Sequence, residues 1–441
     1  MMIENNINDT LYVYLMYIVL FFLYLSKTNG YGWVPLLDLQ TYNTKKPSSI
    51  QILNNELVIW EKNNDIIVQQ NACMHRKAPL SEGYIDKESN NLRCSYHGWE
   101  FDTQGVVKSI PQSNCNGCNV KLKQKTYQTI KSNNILWINL NETEHFPNHV
   151  SIYNNTISDD MTVVEVPYNI NTLLENLFDP AHVPFAHHNL QSTRDLASDV
   201  NVTLLNMNSS SLEILFEDRT LRNGGYRNGT MCFYEPSHFL LTSIYPLVFI
   251  KNLHIYCVPI NEYKTRVFVQ NEYNNIGNLK YINFLYGSIP HWMKHVLTQT
   301  FLDSDTMLLH KQEQYLRNIN AMENCTRSYT TPTTSDKAIH YFHKWKRKYN
   351  HFKMNSTEHK FLTRQEVFNR YDAHTKNCKY CTDALNNINI LQVVIPLPII
   401  LYNLYDENTF SLLMSVVIYY SFNELKTYLI FRDYVHNELK Q

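Results

Sequence analysis

Cys73-Met74-His75 and, after 18 intervening residues, Cys94-Ser95-Tyr96-His97 are the stretches on which the reading of this chain turns. Each half offers one cysteine and, two or three positions later, one histidine. In a [2Fe–2S] cluster two thiolates can hold one iron while two neutral imidazoles hold the other, which raises the reduction potential above that of an all-cysteine cluster. Each Cys/His pair is expected on a tight loop at the end of a strand hairpin, so that both loops close over one cluster. Pro79 after the first half and Gly98 after the second suit such turns. A Cys₂His₂ zinc site uses the same ligand types, but zinc fingers group the two cysteines before the two histidines. Here each half supplies one of each.

The surrounding sequence suits that reading. From Gly32 to about Leu140, short apolar runs alternate with turn signals: IQILNNELVIW with Asn-Asn at its centre, NNDIIVQQNA, NNLRCSYHGWEF and NNILWINL. This pattern predicts a small, strand-rich domain. From about Val163 to Asn320 longer strand patterns such as VVEVPYNI and TRVFVQNEY lead into the helical pattern IPHWMKHVLTQTFLDSDTMLLHKQEQYL.

That second region holds another group of metal-binding side chains. In Glu175-Asn176-Leu177-Phe178-Asp179-Pro180-Ala181-His182-Val183-Pro184-Phe185-Ala186-His187-His188, two imidazoles five positions apart can face one point if a helix ends or bends near Pro184. A carboxylate must complete the two-histidine, one-carboxylate face that leaves iron open to O₂ and substrate. Asp305, read as the head of a helical pattern running through Leu308, Leu309 and Gln312, is the first candidate, and Asp303 the second. Asp179, three residues before His182, suits an orienting role rather than ligation.

The bulk composition excludes several classes. With 441 residues, 44% apolar and 18% charged, the chain has room for two globular domains. A net charge of −1 and a pI of about 7.0 give no reason to expect a nucleic-acid partner. The surplus of asparagine, isoleucine, lysine and tyrosine is read as codon bias. Nine cysteines in pairs and singles do not resemble a disulfide framework. Cys115 and Cys118 are read as a chance pair or a local surface loop rather than a second metal site.

Leu11–Leu25 is an uninterrupted apolar run of 15 residues, short for a span and without a basic stretch before it. A membrane anchor or uncleaved signal, a removed targeting segment and a buried helix all remain open. Near the other end, apolar runs at Ile388–Leu404, with Pro396 and Pro398, and at Phe410–Phe422 suit a hairpin, re-entrant or interfacial element as well as two spans.

With both metal motifs in order, the chain resembles the Rieske-type non-haem iron oxygenases, most nearly the pheophorbide a oxygenase-like subgroup of plants and algae. The stretches that carry the likeness are CMHRKAPLSEGYID, LRCSYHGWEFDTQGVVKSIPQ, LLENLFDPAHVPFAHHNL, DSDTMLLHKQEQ, TPTTSDKAIHYFHKWKRKY and RYDAHTKNCKYC. The resemblance implies an α+β architecture. A hydrophobic anchor or targeting segment (1–30) precedes an all-β Rieske domain (31–145), a helix-grip-like catalytic domain with mononuclear iron (160–385) and a C-terminal membrane-anchor region (386–441).

It also implies Cys73, His75, Cys94 and His97 as cluster ligands and His182, His187 and Asp305 as ligands of Fe(II). Asp179 becomes a bridge between His97 of one subunit and His182 of its neighbour in a homotrimer. A ferredoxin-like donor, O₂, a hydrophobic substrate of the chlorophyll-derived tetrapyrrole class and a plastid membrane follow from the same likeness. A sterol-type substrate, or a non-catalytic redox-sensing or import-associated subunit, are the rival readings. Cys378 and Cys381, the C-x-x-C of the subgroup, are a possible redox pair. Ordinary thiols, or a zinc half-site lacking partners, are the alternatives.

Overall fold

The computed structural model describes residues 32–42, 46–113, 122–141, 161–218, 227–245, 249–275, 287–349, 361–406 and 409–436. The Leu11–Leu25 run and the Cys115/Cys118 pair lie outside the described residues.

The N-terminal part is all strand. A six-stranded antiparallel sheet has the order β1-β10-β9-β4-β3-β2, built from β1 (Trp33–Asp38), β2 (Ser48–Ile52), β3 (Asn55–Lys62), β4 (Asp65–Gln70), β9 (Thr126–Ser132) and β10 (Ile135–Asn139). Between β4 and β9 the chain makes a small four-stranded sheet from β5 (Tyr84–Ile85), β6 (Leu92–Arg93), β7 (Glu100–Phe101) and β8 (Val107–Ser109). Three hairpins of the larger sheet turn on residue pairs with positive φ at both positions: Leu53-Asn54, Asn63-Asn64 and Asn133-Asn134. Such turns match the twist of paired strands, and asparagine tolerates the left-handed backbone they need. Part of the asparagine surplus therefore has a structural use at these turns. In the first hairpin the turn falls one residue earlier than the Asn-Asn pair, and Asn55 opens β3.

The second part is a seven-stranded antiparallel sheet, order β11-β17-β16-β15-β14-β13-β12. Its strands are β11 (Thr162–Val166), β12 (Asn201–Met207), β13 (Ser211–Asp218), β14 (Arg227–Tyr234), β15 (His238–Tyr245), β16 (Phe249–Asn261) and β17 (Lys264–Asn275). Side chains alternate across it. Ile255 and Cys257 enter a core with Phe178, Phe239, Leu309, Phe342 and Trp345 on the helical side. Tyr256 and Val258 point the other way, into a core shared with Trp33, Leu36 and Trp137 of the N-terminal sheet. The seven-stranded sheet is thus covered by strands on one face and helices on the other. Phe178, Phe239 and Phe342 are fully buried on the helical face. Removing a side chain of that size from water stabilises the fold by roughly 1.5–3 kcal/mol.

The helices that matter for the site are α1 (Ile170–Leu177), α2 (Val183–Ala186) and the long α3 (His291–Asn318), followed by α4 (Lys337–Tyr349), α5 (Arg364–Val367) and α6 (Arg370–Ala373). Glu313 on α3 ties α1 down: its carboxylate accepts the Asn169 backbone N–H (2.7 Å) and the Thr172 hydroxyl (2.9 Å). The C-terminal segment forms α7 (Lys379–Val394), α8 (Pro396–Asp406) and α9 (Thr409–Ile430), with α9 folding back on α7 and α8. Among the described residues one helical stretch, Lys379–Tyr402, is long and apolar enough to cross a membrane.

Candidate metal centres

The two Cys/His loops are near-copies in backbone. In the first, Cys73 N–H donates to the Ala78 carbonyl (2.8 Å) and Lys77 N–H returns to the Cys73 carbonyl (2.8 Å). In the second, Cys94 N–H donates to the Trp99 carbonyl (2.9 Å) and Gly98 N–H returns to the Cys94 carbonyl (2.9 Å). The fifth position of each loop is left-handed, φ 63° at Lys77 and φ 73° at Gly98. Gly98 is placed as its turn role requires, because a Cβ there would come within 2.9 Å of Pro111 Cγ. Pro79 does not make the first turn; it leads into the short turn Leu80–Glu82. Only the second loop joins two strands of a hairpin, β6 and β7, whereas the first follows β4.

Both thiols are buried, on a small core of Val58, Trp60, Leu80, Leu92 and Phe101. Burial and the adjacent Cys94 push the Cys73 thiol up to about 11. The imidazoles lie on the outer side: His75 is exposed and His97 half-buried, with ring centroids 4.7 Å apart. His75 also stacks on Trp99 (4.6 Å). Two thiols together beneath and two imidazoles together above fit the mixed ligation of a [2Fe–2S] cluster.

The second centre joins segments far apart in sequence. After α1 the chain makes a tight turn, Pro180–His182, and then α2, with Pro184 in its first turn. The change from the tight turn to α-helix at His182 and Val183 swings the two imidazoles together. Asp179 caps the turn by accepting Ala181 N–H (2.9 Å). The Asp179 carbonyl can only accept, so the contacting His182 Nδ1 must carry the proton. Ser304 donates its hydroxyl hydrogen to the Phe301 carbonyl (2.7 Å) and is left to accept from His187 Nδ1 (2.7 Å). Both rings therefore turn a bare Nε2 toward the same point.

Asp305 faces them. The three ligand atoms form a triangle: His182 Nε2 to His187 Nε2 3.2 Å, His187 Nε2 to Asp305 Oδ2 3.4 Å and His182 Nε2 to Asp305 Oδ2 3.8 Å. Three ligands at right angles around a first-row metal, each about 2.1 Å away, stand about 3 Å apart, so the set fits one ion. Burial, the His182 ring and His436 hold His187 down to about 3, neutral as a ligand must be. Burial raises Asp305 to about 6, opposed by His182 and a hydrogen bond from Asn176. A cation in the triangle favours the ionised form.

Two expectations change here. Asp305 does not head its helix; it lies in the middle of α3, because the helix already begins at His291, directly after Pro290. Asp303, the second candidate, is turned away and engaged by Arg370, whose Nε and Nη2 reach Oδ2 at 2.8 and 2.7 Å. Two residues along a helix is about 200° of rotation, so these two carboxylates cannot share a face. The site also uses Ser304 and Asn176, which no sequence motif singles out. Cys378 and Cys381 are buried and unbridged and are not part of the triangle.

The comparisons agree with this architecture. Residues 32–129 match the Rieske [2Fe-2S] domain and residues 250–323 the pheophorbide a oxygenase domain. Pheophorbide a oxygenase, chloroplastic, of Oryza sativa subsp. japonica is 27% identical over 92% of this chain and 84% of its own. Flavonoid 8-hydroxylase 2, chloroplastic, of Ocimum basilicum is 26% identical over 82% of this chain and 75% of its own. Dicamba monooxygenase bound to dicamba shares the fold, with TM-score 0.57 and 16% identity over 72% of this chain and 95% of that one.

Fold and domain matches together define a Rieske-type oxygenase, an all-β Rieske domain joined to a mixed α/β catalytic domain. Within that class the chain is an oxygenase of the pheophorbide a oxygenase type, with one [2Fe–2S] cluster and a mononuclear iron as its cofactors. It takes electrons from a ferredoxin-like donor and uses O₂ and an organic substrate.

Proposed function

We propose that this oxygenase acts on a chlorophyll-derived tetrapyrrole at a plastid membrane, with Cys73, His75, Cys94 and His97 holding the cluster and His182, His187 and Asp305 holding the iron. The observation that carries the reading is the His182–His187–Asp305 triangle, inside a chain whose residues 250–323 match the pheophorbide a oxygenase domain. When bound, the cluster relays single electrons and the iron activates O₂. The protein's own part is to orient and exclude. Asp179 and Ser304 hold both imidazoles in the tautomer that leaves Nε2 free. The buried aromatic core behind α1 keeps water from the triangle's inner side.

A non-catalytic electron carrier would have no use for such a triangle, which favours turnover over the sensing or import-associated rival. The chloroplastic relatives support a plastid location. Exposed Val393, Leu397, Leu401, Phe410, Leu413 and Val417 on α7 to α9 support membrane contact by the C-terminal hairpin, which suits a substrate that partitions into lipid. Asp179, half-buried beside His182, and the exposed imidazole edge of the cluster loops support a homotrimer in which His97 of a neighbouring copy reaches Asp179.

The test is anaerobic purification in detergent, followed by metal analysis, EPR and turnover. About three irons and two labile sulfides per chain are expected, with the low average g-value of a histidine-ligated cluster. With ferredoxin and O₂, pheophorbide a should be consumed faster than a flavonoid or a sterol. Preference for the flavonoid would move the assignment toward the Ocimum basilicum relative. Two irons and no turnover would leave only the electron-carrier reading.

A further inference from the structure

Buried side chains outside the two centres include a second set of metal-type ligands. Cys378 and Cys381 meet His295 and His374, and the four ligand atoms all lie within 4.8 Å of one another. Cys378 Sγ is 3.3 Å and Cys381 Sγ 3.7 Å from His295 Nδ1, and His374 Nε2 is 3.2 Å from Cys381 Sγ. We propose that these four residues hold one structural zinc ion.

The chemistry of the set argues for zinc. Two sulfurs and two imidazole nitrogens around tetrahedral zinc, at about 2.3 and 2.0–2.1 Å, stand roughly 3.3–3.8 Å from one another. The observed spacings fall close to that range. Both cysteines are unbridged, and all four side chains are at most 3% exposed. That is a closed shell of the structural rather than the catalytic kind. His374 Nδ1–H donates to the Val163 carbonyl at 2.6 Å, which fixes the ring and leaves Nε2 for the ion. His295 turns Nδ1 to the thiols, while its Nε2 is buried without a hydrogen-bond partner among the described residues. A disulfide would use the two sulfurs and leave two buried imidazoles facing it with nothing to bind. An ion uses all four.

The placement gives the ion a task. His295 lies in the second turn of α3 and Asp305 near its middle; at the rise of an α-helix the two are about 15 Å apart along the axis. Cys378 caps α7 and Cys381 lies in its first turn, while His374 follows α6 and is tied to β11 through Val163. One ion therefore joins the helix that carries Ser304 and Asp305 to the root of the apolar C-terminal hairpin. Binding converts both thiols to thiolates and releases two protons to solvent. A cleft of about 590 Å³ bordered by Asp38, His374 and Cys378 offers a route in. Of this set, only the run His374, Cys378, Cys381 is local in sequence; His295 comes from a helix far upstream.

The experiment is zinc and iron analysis of detergent-purified full-length protein, with zinc K-edge absorption on the same sample. One zinc per chain beside the iron is expected, with a shell of two sulfurs at about 2.3 Å and two nitrogens at about 2.0 Å. Cys381→Ser and His374→Ala should each lose zinc at least tenfold while keeping the EPR signal of the cluster. Should those variants not fold, the wild-type shell decides alone. Less than a tenth of an equivalent of zinc in wild type, with Cys378 and Cys381 found as a disulfide or as free alkylatable thiols, would overturn the proposal. An extra iron in place of zinc, or a shell without two sulfurs, would overturn it equally. Zinc content and shell are read without turnover, so this result stands apart from that of the substrate assay.

Discussion

The two Cys/His loops and the His182–His187–Asp305 triangle are built in opposite ways. Each cluster loop is a short closed backbone unit, organised by its own two hydrogen bonds and one left-handed residue. The triangle has no local frame. It exists because a kinked segment at 179–187 and the middle of a long helix are pressed onto one sheet face, with Glu313 of that helix tied to the start of α1, which leads into the kinked segment. A loop that carries its own geometry tolerates change elsewhere in the fold. A site assembled from distant pieces fails when any piece slips, and a misplacement of about 1 Å in such a site is costly.

The widest gap between the two is expected for His182→Ala. Removing one ligand should cut turnover more than about 100-fold, beyond the roughly 10–100-fold typical of an outer partner, and lower iron from about three to two per chain. The cluster EPR signal should be unchanged; its loss would mean the two centres are not separate units. Next is Asp303→Ala, which strands the buried Arg370 guanidinium. It should cost about 3 kcal/mol in thermal or denaturant unfolding. Iron content should hold at three. A drop to two would make Asp303, not Asp305, the ligand.

Ser304→Ala probes the outer support of the triangle. With no acceptor for Nδ1–H, His187 can turn or change tautomer, and iron affinity should fall by about 10–100-fold, measured by chelator competition. An unchanged affinity would mean that packing alone, such as the Phe301 contact, orients the ring. The smallest effects belong to the cluster loops. Gly98→Ala places a Cβ at φ 73° and against Pro111. It should lower the bleaching temperature of the cluster by an amount worth about 1–2 kcal/mol. Lys77→Gly, at the matching left-handed position, should change it less, by under about 1 kcal/mol, since relief of backbone strain offsets lost rigidity. Equal losses from both substitutions would break the view that the loops are backbone copies.

The sequence by itself made the Cys/His pairs at 73–97 and the histidines at 182 and 187 legible as candidate metal-binding groups, since each is a run of neighbours whose spacing already carries its chemistry. It also determined the apolar C-terminal runs, which depend on composition and not on contact. Only the tertiary structure sets Asp305, and not Asp303, beside the two histidines. Both stand in the same short window, and helix phase relative to the sheet turns one to Arg370 and the other to the histidines. Likewise, the C-x-x-C read alone suggested a redox pair, with plain thiols or a zinc half-site lacking partners as the alternatives. Of the two histidines that face the thiols, His295 arrives from a different helix far upstream. No spacing rule reaches that far, because which surfaces pack together is settled by buried area summed over the whole fold, not by neighbours in the chain.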